Sequence, residues 1–235
     1  MTEPAFLVNE SDAGRAERLL DSAAELLLRW GYQRVTIDDV AKHAGIGKGT
    51  VYLHFRTKEA LFLTVLLRAH RRIFSGIVDR MEADPIELLP SRLVRGSYLD
   101  VAADPVAKLL YLGDTEVLGR LAHEAAATMG GIAERRSEVM DDYAARLRAA
   151  GAMRTDLPQQ DQLKILSAVG LGFFMSGADD DDPPHRAALL EHAIAAALET
   201  GAPDRVALAA AGPEIVTGMR SLITLIDQEW RRRVR

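Results

Sequence analysis

An all-α fold follows from three observations on the 235-residue sequence. Apolar residues recur at helical spacing along nearly the whole chain, sustained strand-like alternation is absent, and no proline lies between Pro4 and Pro85. With 48% hydrophobic residues the chain can bury a sizeable core, which separates it from disordered sequences. The elements predict a small three-helix head followed by a larger helical bundle.

The first helix is expected from about Ala13 to Trp30, capped by Ser11 or Asp12, with Leu20, Ala23, Ala24 and Leu27 on one buried face. Gly31 ends it, because glycine tolerates the left-handed conformation after a helix C-terminus. Thr36 caps a short second helix, with Asp38 and Asp39 in its positive first turn and Ile37, Val40, Ala41 and Ala44 facing inward. Gly45 stops it after barely two turns. A third short helix starts near Gly47 and carries Val51 and Phe55 inward. Thr57 caps a fourth, Lys58 to about Arg80, which bears Arg68, Arg71 and Arg72. Two short amphipathic helices joined by a glycine-containing turn and braced by a longer one outline a helix-turn-helix; an ordinary helical hairpin shares that outline.

From Pro85 onward, glycines, prolines and aspartates break the chain into further helices. One spans roughly residues 128–150, with Met140, Tyr143, Ala144 and Leu147 on one face and Gly151 as its stop. The next, about Gln159–Ser176, is apolar on nearly every side, which calls for burial on most sides. Another covers Pro184–Glu199. In the last segment, residues 204–235, Met219, Leu222, Ile223 and Ile226 form a stripe that should dock on the body. Its basic end, Arg231, Arg232, Arg233 and Arg235, complements a helix C-terminal dipole, and it could alternatively form a second nucleic-acid patch. The later prolines are expected to punctuate helices.

Zero cysteines exclude disulfides, thiolate catalysis and cysteine-ligated metal sites. The N-terminal twelve residues lack the basic and apolar parts of a signal peptide, and the charge-free stretch Ile165–Ala178 is shorter than the roughly 20 residues that span a bilayer. The expectation is a cytoplasmic protein with no membrane association. GIGKGT (45–50) lacks the spacing and preceding strand of a nucleotide-binding loop. His123–Glu124 and Glu191–His192 have no second histidine at i+4, and Asp179–Asp182 lacks the glycine and glutamate of a calcium loop. No metal, cofactor or catalytic set is therefore expected, and the chain is not read as an enzyme.

The net charge of −5 is unevenly spread: residues 13–75 carry eleven Lys and Arg against six Asp and Glu. A basic first quarter on an acidic body suits a polyanion partner for that quarter alone. On a helical wheel centred between Val51 and Phe55, Gly49, Thr50 and Leu53 point outward, Tyr52 and His54 lie on the flanks, and Lys48 sits at the helix start. That surface suits a helix in a major groove, with flanking groups on phosphates and central ones on base edges. Leu53 could meet a thymine methyl, although single exposed leucines are common.

The run TIDDVAKHAGIGKGTVYLHFRTKEAL, from Thr36 to Leu61, resembles the DNA-binding signature of TetR-type transcriptional regulators, and the similarity begins near Arg15. It covers about a quarter of the chain. The resemblance implies backbone or base contacts from Thr36, Lys48, Thr50, Tyr52, His54 and Lys58. Gly47 departs from the serine or threonine frequent there, so no side-chain contact is expected at that position. It also implies a flexible arm (1–12), a DNA-binding domain (13–57) and a ligand-binding and dimerisation domain (58–235) entered through a connecting helix (58–80).

By the same resemblance, the helices of 159–176 and 184–199 pack on their symmetry mates, with Leu166, Val169, Gly172, Phe173 and Ile194 as interface candidates. A small-molecule inducer would occupy the bundle, with Tyr98, Tyr111, His123, Phe173 and His192 as candidate pocket residues. The implied function is a one-component regulator, a repressor before an activator, that binds a palindromic double-stranded DNA operator as a homodimer. A helical ligand-binding or catalytic protein whose head no longer binds DNA stays open as the alternative.

Overall fold

The structure, a computed structural model, describes residues 12–112, 121–176 and 182–234, with backbone alone for 12, 13, 112 and 122–129. The expected arm lies outside the described residues except for Asp12, as do Asp179, Asp180 and Asp181. Among the described residues there are ten helices and no strand beyond two isolated bridges, Phe55 with Val234 and Met153 with Glu199.

Helix α1 (Asp12–Arg34) buries Leu19, Leu20, Ala23, Leu26 and Leu27, and its geometry breaks at Gly31 (φ 73°) before a last short turn to Arg34. Helix α2 (Ile37–Ala44) is closed at both ends. Thr36 and Asp39 exchange side-chain and backbone hydrogen bonds in a capping box, and Gly45 takes the left-handed conformation (φ 65°) so that its N–H reaches the Ala41 and Lys42 carbonyls. Helix α3 is Lys48–His54, and α4 (Lys58–Ala83) is capped by Thr57, whose hydroxyl accepts from Ala60 N at 3.0 Å. Helix α4 is buried along its length in one continuous core. Phe62 in its first turns meets Tyr32 edge-on, while Ile73, Ile77, Val78 and Met81 are buried further along it.

A 3-10 turn (Pro85–Leu88) leads to α5 (Pro90–Ala103) and α6 (Pro105–Leu112). Helix α7 (Leu121–Ala149) begins about two turns earlier than periodicity indicates, across a stretch rich in alanine that carries little apolar patterning. Its Tyr143 is fully buried and donates to Leu88 O at 2.8 Å, and burial pushes the phenol's pKa well up. Helices α8 (Gln159–Ser176) and α9 (Pro183–Leu198) follow. Leu89 gives α5 no side-chain cap; Glu199, just past α9, accepts from Ser91 N at 2.8 Å instead. Arg80 of α4 forms a bidentate pair with Asp100 of α5 at 3.1 and 2.8 Å.

Helix α10 (Arg205–Arg231) docks on α4 and α7, as its stripe requires. It continues without a break through Pro213, against the expectation that the later prolines punctuate helices. An interior proline costs about 3 kcal/mol. Burial of Leu208, Ile215, Val216, Met219, Leu222 and Ile226 offsets that, at about 1.5–3 kcal/mol per large side chain. By length and composition α10 is the one helix among the described residues apolar enough to cross a membrane. Here those apolar residues form core against α4 and α7.

Candidate nucleic-acid interface

The surface is built on the turn between α2 and α3. Gly45 reverses the chain, Ile46 N bonds back to Ala41 O at 2.9 Å, and Gly47 starts α3 with no side-chain cap. Val51 and Phe55 are fully buried and fix which side of α3 faces out. Leu53 is 68% exposed and Tyr52 44%, and a Cβ added at Gly49 would meet nothing within 4 Å. Lys48 is exposed, with its ammonium 3.9 Å from Asp38; Thr50 is half-buried. Lys48, Gly49, Thr50, Tyr52 and Leu53 therefore share one open face.

Three expected contact residues are otherwise engaged. His54 is only 7% exposed, so it cannot offer its ring as Tyr52 does. The wheel treats the two flanks alike, but the chain turns into Phe55 and the α3–α4 connection on one of them. Thr36 is exposed, and its hydroxyl donates to Asp39 Oδ2 at 2.6 Å within the capping box. Lys58 donates to Tyr32 O at 2.6 Å and lies 4.1 Å over the Tyr32 ring; burial lowers its pKa. Composition and spacing give no hint of this role for Tyr32, whose hydroxyl also donates to Glu59 at 2.9 Å. The residue locks the kink after Gly31 to the start of α4. Asp38 is a second unanticipated participant. A hydrogen bond from Lys42 holds its carboxylate below the usual range, and it faces Lys48 as well.

In the body, Tyr98 and Tyr111 are brought together by Phe174, at ring-centroid distances of 5.3 and 6.0 Å. The Tyr111 hydroxyl is hydrogen-bonded to His70 Nδ1 at 3.1 Å, and Phe74 packs edge-on against His70. Phe174, not Phe173, is thus the α8 aromatic of this cluster; α8 is apolar all round, so periodicity could not choose between them. His192 is exposed, while the side chain of His123 lies outside the described residues. A separate cleft of about 430 Å³ lies between Met81, Glu82, Pro85, Leu88 and the α10 residues Ala209, Gly212, Pro213 and Val216. Among the described residues, none of the expected pocket residues lines it.

Two of the interface candidates are withdrawn by burial within the chain itself, namely Leu166 and Ile194. Val169 and Phe173 are half-buried, and Gly172 is exposed. Leu171 (54% exposed) and Met175 (65%) lie beside Gly172 on α8, and Leu189 is the large exposed apolar residue on α9. Helix α8 is therefore not enclosed on most sides by its own chain.

Residues 19–65 match the family of bacterial regulatory proteins of the tetR type. The chain is 32% identical over 97 residues to YwcC, an uncharacterised HTH-type transcriptional regulator of Bacillus subtilis, covering 40% of each. It is 27% identical over 166 residues to the HTH-type transcriptional repressor KstR of Rhodococcus jostii, covering 69% of this chain and 71% of that one. Among solved structures, the SmeT–triclosan complex superposes with a TM-score of 0.59 at 20% identity, over 80% of this chain and 95% of that one. SmeT is the repressor of a multidrug efflux pump of Stenotrophomonas maltophilia. The chain thus spans less than half of YwcC and about seven-tenths of KstR.

Proposed function

We propose that this chain, a TetR-type transcriptional regulator, is a cytoplasmic repressor that binds a two-fold DNA operator as a homodimer and is released by a small molecule. The open face of α3 carries the reading. An apolar Leu53, a flanking Tyr52 and a bare Gly49 make a poor solvated surface and a good groove surface. The head comprises residues 13–57 and the body residues 58–235. The chain acts by binding and performs no reaction. Two heads on one dimer match the two half-sites of a palindrome.

The body's aromatic cluster, Tyr98, Tyr111 and Phe174 beside His70, fits an apolar, partly aromatic effector. SmeT is solved with triclosan, a ligand of that kind. An effector that releases DNA must lose affinity when DNA is bound, by the same factor.

Selection of bound sequences from random DNA tests the reading, and enrichment of a two-fold sequence is expected. On the selected duplex, Leu53→Ala should cost about 1–3 kcal/mol, the lower end being natural for one apolar contact, and should leave a scrambled duplex nearly unaffected. Lys48→Ala should weaken both duplexes and reduce the salt slope by about one ion. No enrichment at all would return the chain to the alternative of a ligand-binding protein with a silent head.

A further inference from the structure

Helix α10 ends against the head. Arg71 Nε of α4 donates to Asp227 at 2.7 Å, and beyond the helix Val234 pairs with Phe55 in an antiparallel bridge. Phe55 directly follows α3, so the end of α10 lies beside the C-terminal end of that helix and beside the α3–α4 connection. The segment that arrives there is basic. Glu229 is largely buried and pairs with both Arg232 and Arg233, and Asp227 is already paired with Arg71. Arg231 is exposed with no partner among the described residues, as is Arg56 in the α3–α4 connection. Arg232 keeps 72% of its side chain exposed while bonded to Glu229.

Complementing the dipole of α10 explains arginines at its end, but not why that end is fastened to the head. Positive charge left uncompensated next to a groove-binding helix is placed for phosphates, which supply most of the salt-dependent affinity of such complexes. We propose that Arg231 and Arg232, together with Arg56, hold the DNA backbone beside the bases that α3 reads, so that the last helix of the body is also part of the DNA interface. This rests on α3 being the recognition helix.

The test uses the full chain, a duplex selected by it from random DNA, and a scrambled duplex. The Arg231→Ala/Arg232→Ala variant should lower the slope of log K against log salt by about 0.9 for each phosphate that the two arginines neutralise, equally on both duplexes. The preference for the selected duplex should be unchanged. Arg231→Lys/Arg232→Lys should keep the slope, and so should Arg220→Ala, which removes an arginine paired with Glu82 elsewhere on α10. Should the double variant melt early because the Glu229 pair is broken, Arg231→Ala alone decides, since Arg231 has no such pair. Unchanged slopes with intact wild-type binding would overturn the proposal and leave the tail as a brace. Wild-type chain that binds neither duplex would instead overturn the reading of α3, and this proposal with it.

Discussion

His70 is a buried titratable side chain whose protonation its surroundings oppose. It is buried between Phe74 and Tyr111, and desolvation, with Arg136 adding repulsion, lowers its pKa from 6.5 to about 4. The Tyr111 hydroxyl and Nδ1 share a hydrogen bond of 3.1 Å. Between those two pKa values the unfolded chain takes up a proton that the folded chain refuses. The neutral ring therefore costs no stability above pH 6.5, and stability falls as the pH drops from 6.5 towards 4. The loss is on the order of 3 kcal/mol at about 1.4 kcal/mol per pH unit. Urea unfolding at pH 7 and pH 4.5 should show this, and His70→Gln should flatten that part of the dependence. An identical pH dependence in the variant would mean that His70 titrates normally.

Between elements, the contact of α4 with α5 depends on glycine. A Cβ at Gly96 would stand 2.6 Å from Arg80 Nε, and one at Gly76 would stand 3.0 Å from Asp100 Oδ2. The bidentate Arg80–Asp100 pair thus occupies space that two missing side chains leave free. Alanine favours a helix interior by about 1 kcal/mol over glycine, while overpacking costs about 1–3 kcal/mol. Gly96→Ala should therefore destabilise the protein by up to about 2 kcal/mol. In an Arg80→Ala background the same change should instead stabilise it by about 1 kcal/mol, and thermal melts of the four proteins would show the reversal of sign. No such dependence is legible in the sequence, because Arg80 and Gly96 belong to different helices. What is legible is local: Thr36, Gly45 and Thr57 mark helix ends because a cap is decided within four residues. Choices between Tyr52 and His54, or Phe173 and Phe174, turn on what a neighbouring element lays against one flank, and periodicity within a single helix carries no trace of it.

For the whole molecule, the exposed apolar residues of α8 and α9 set the expected assembly. Leu171→Glu with Met175→Glu should give monomers in analytical ultracentrifugation with the fold retained, because both residues are solvent-facing within the chain. Leu166→Ala or Ile194→Ala should leave the assembly state intact and cost about 2–5 kcal/mol in stability, because those residues belong to the chain's own core. A wild-type chain that sediments as a monomer would remove this face as the interface. Helix α4 carries the other large-scale consequence. Its 26 residues make a rod of about 39 Å, with Lys58 pinned to Tyr32 at one end and Arg80 pinned to Asp100 near the other. A rod pinned in this way converts rotation at one end into translation at the other. A tilt of about 5° at the body end displaces the head end by about 3 Å, close to the rise of about 3.4 Å for one base step. Repacking around His70 and Tyr111 acts midway along the rod, about 18 Å from its head end, so the same tilt taken up there moves that end by about 1.6 Å, half of one base step.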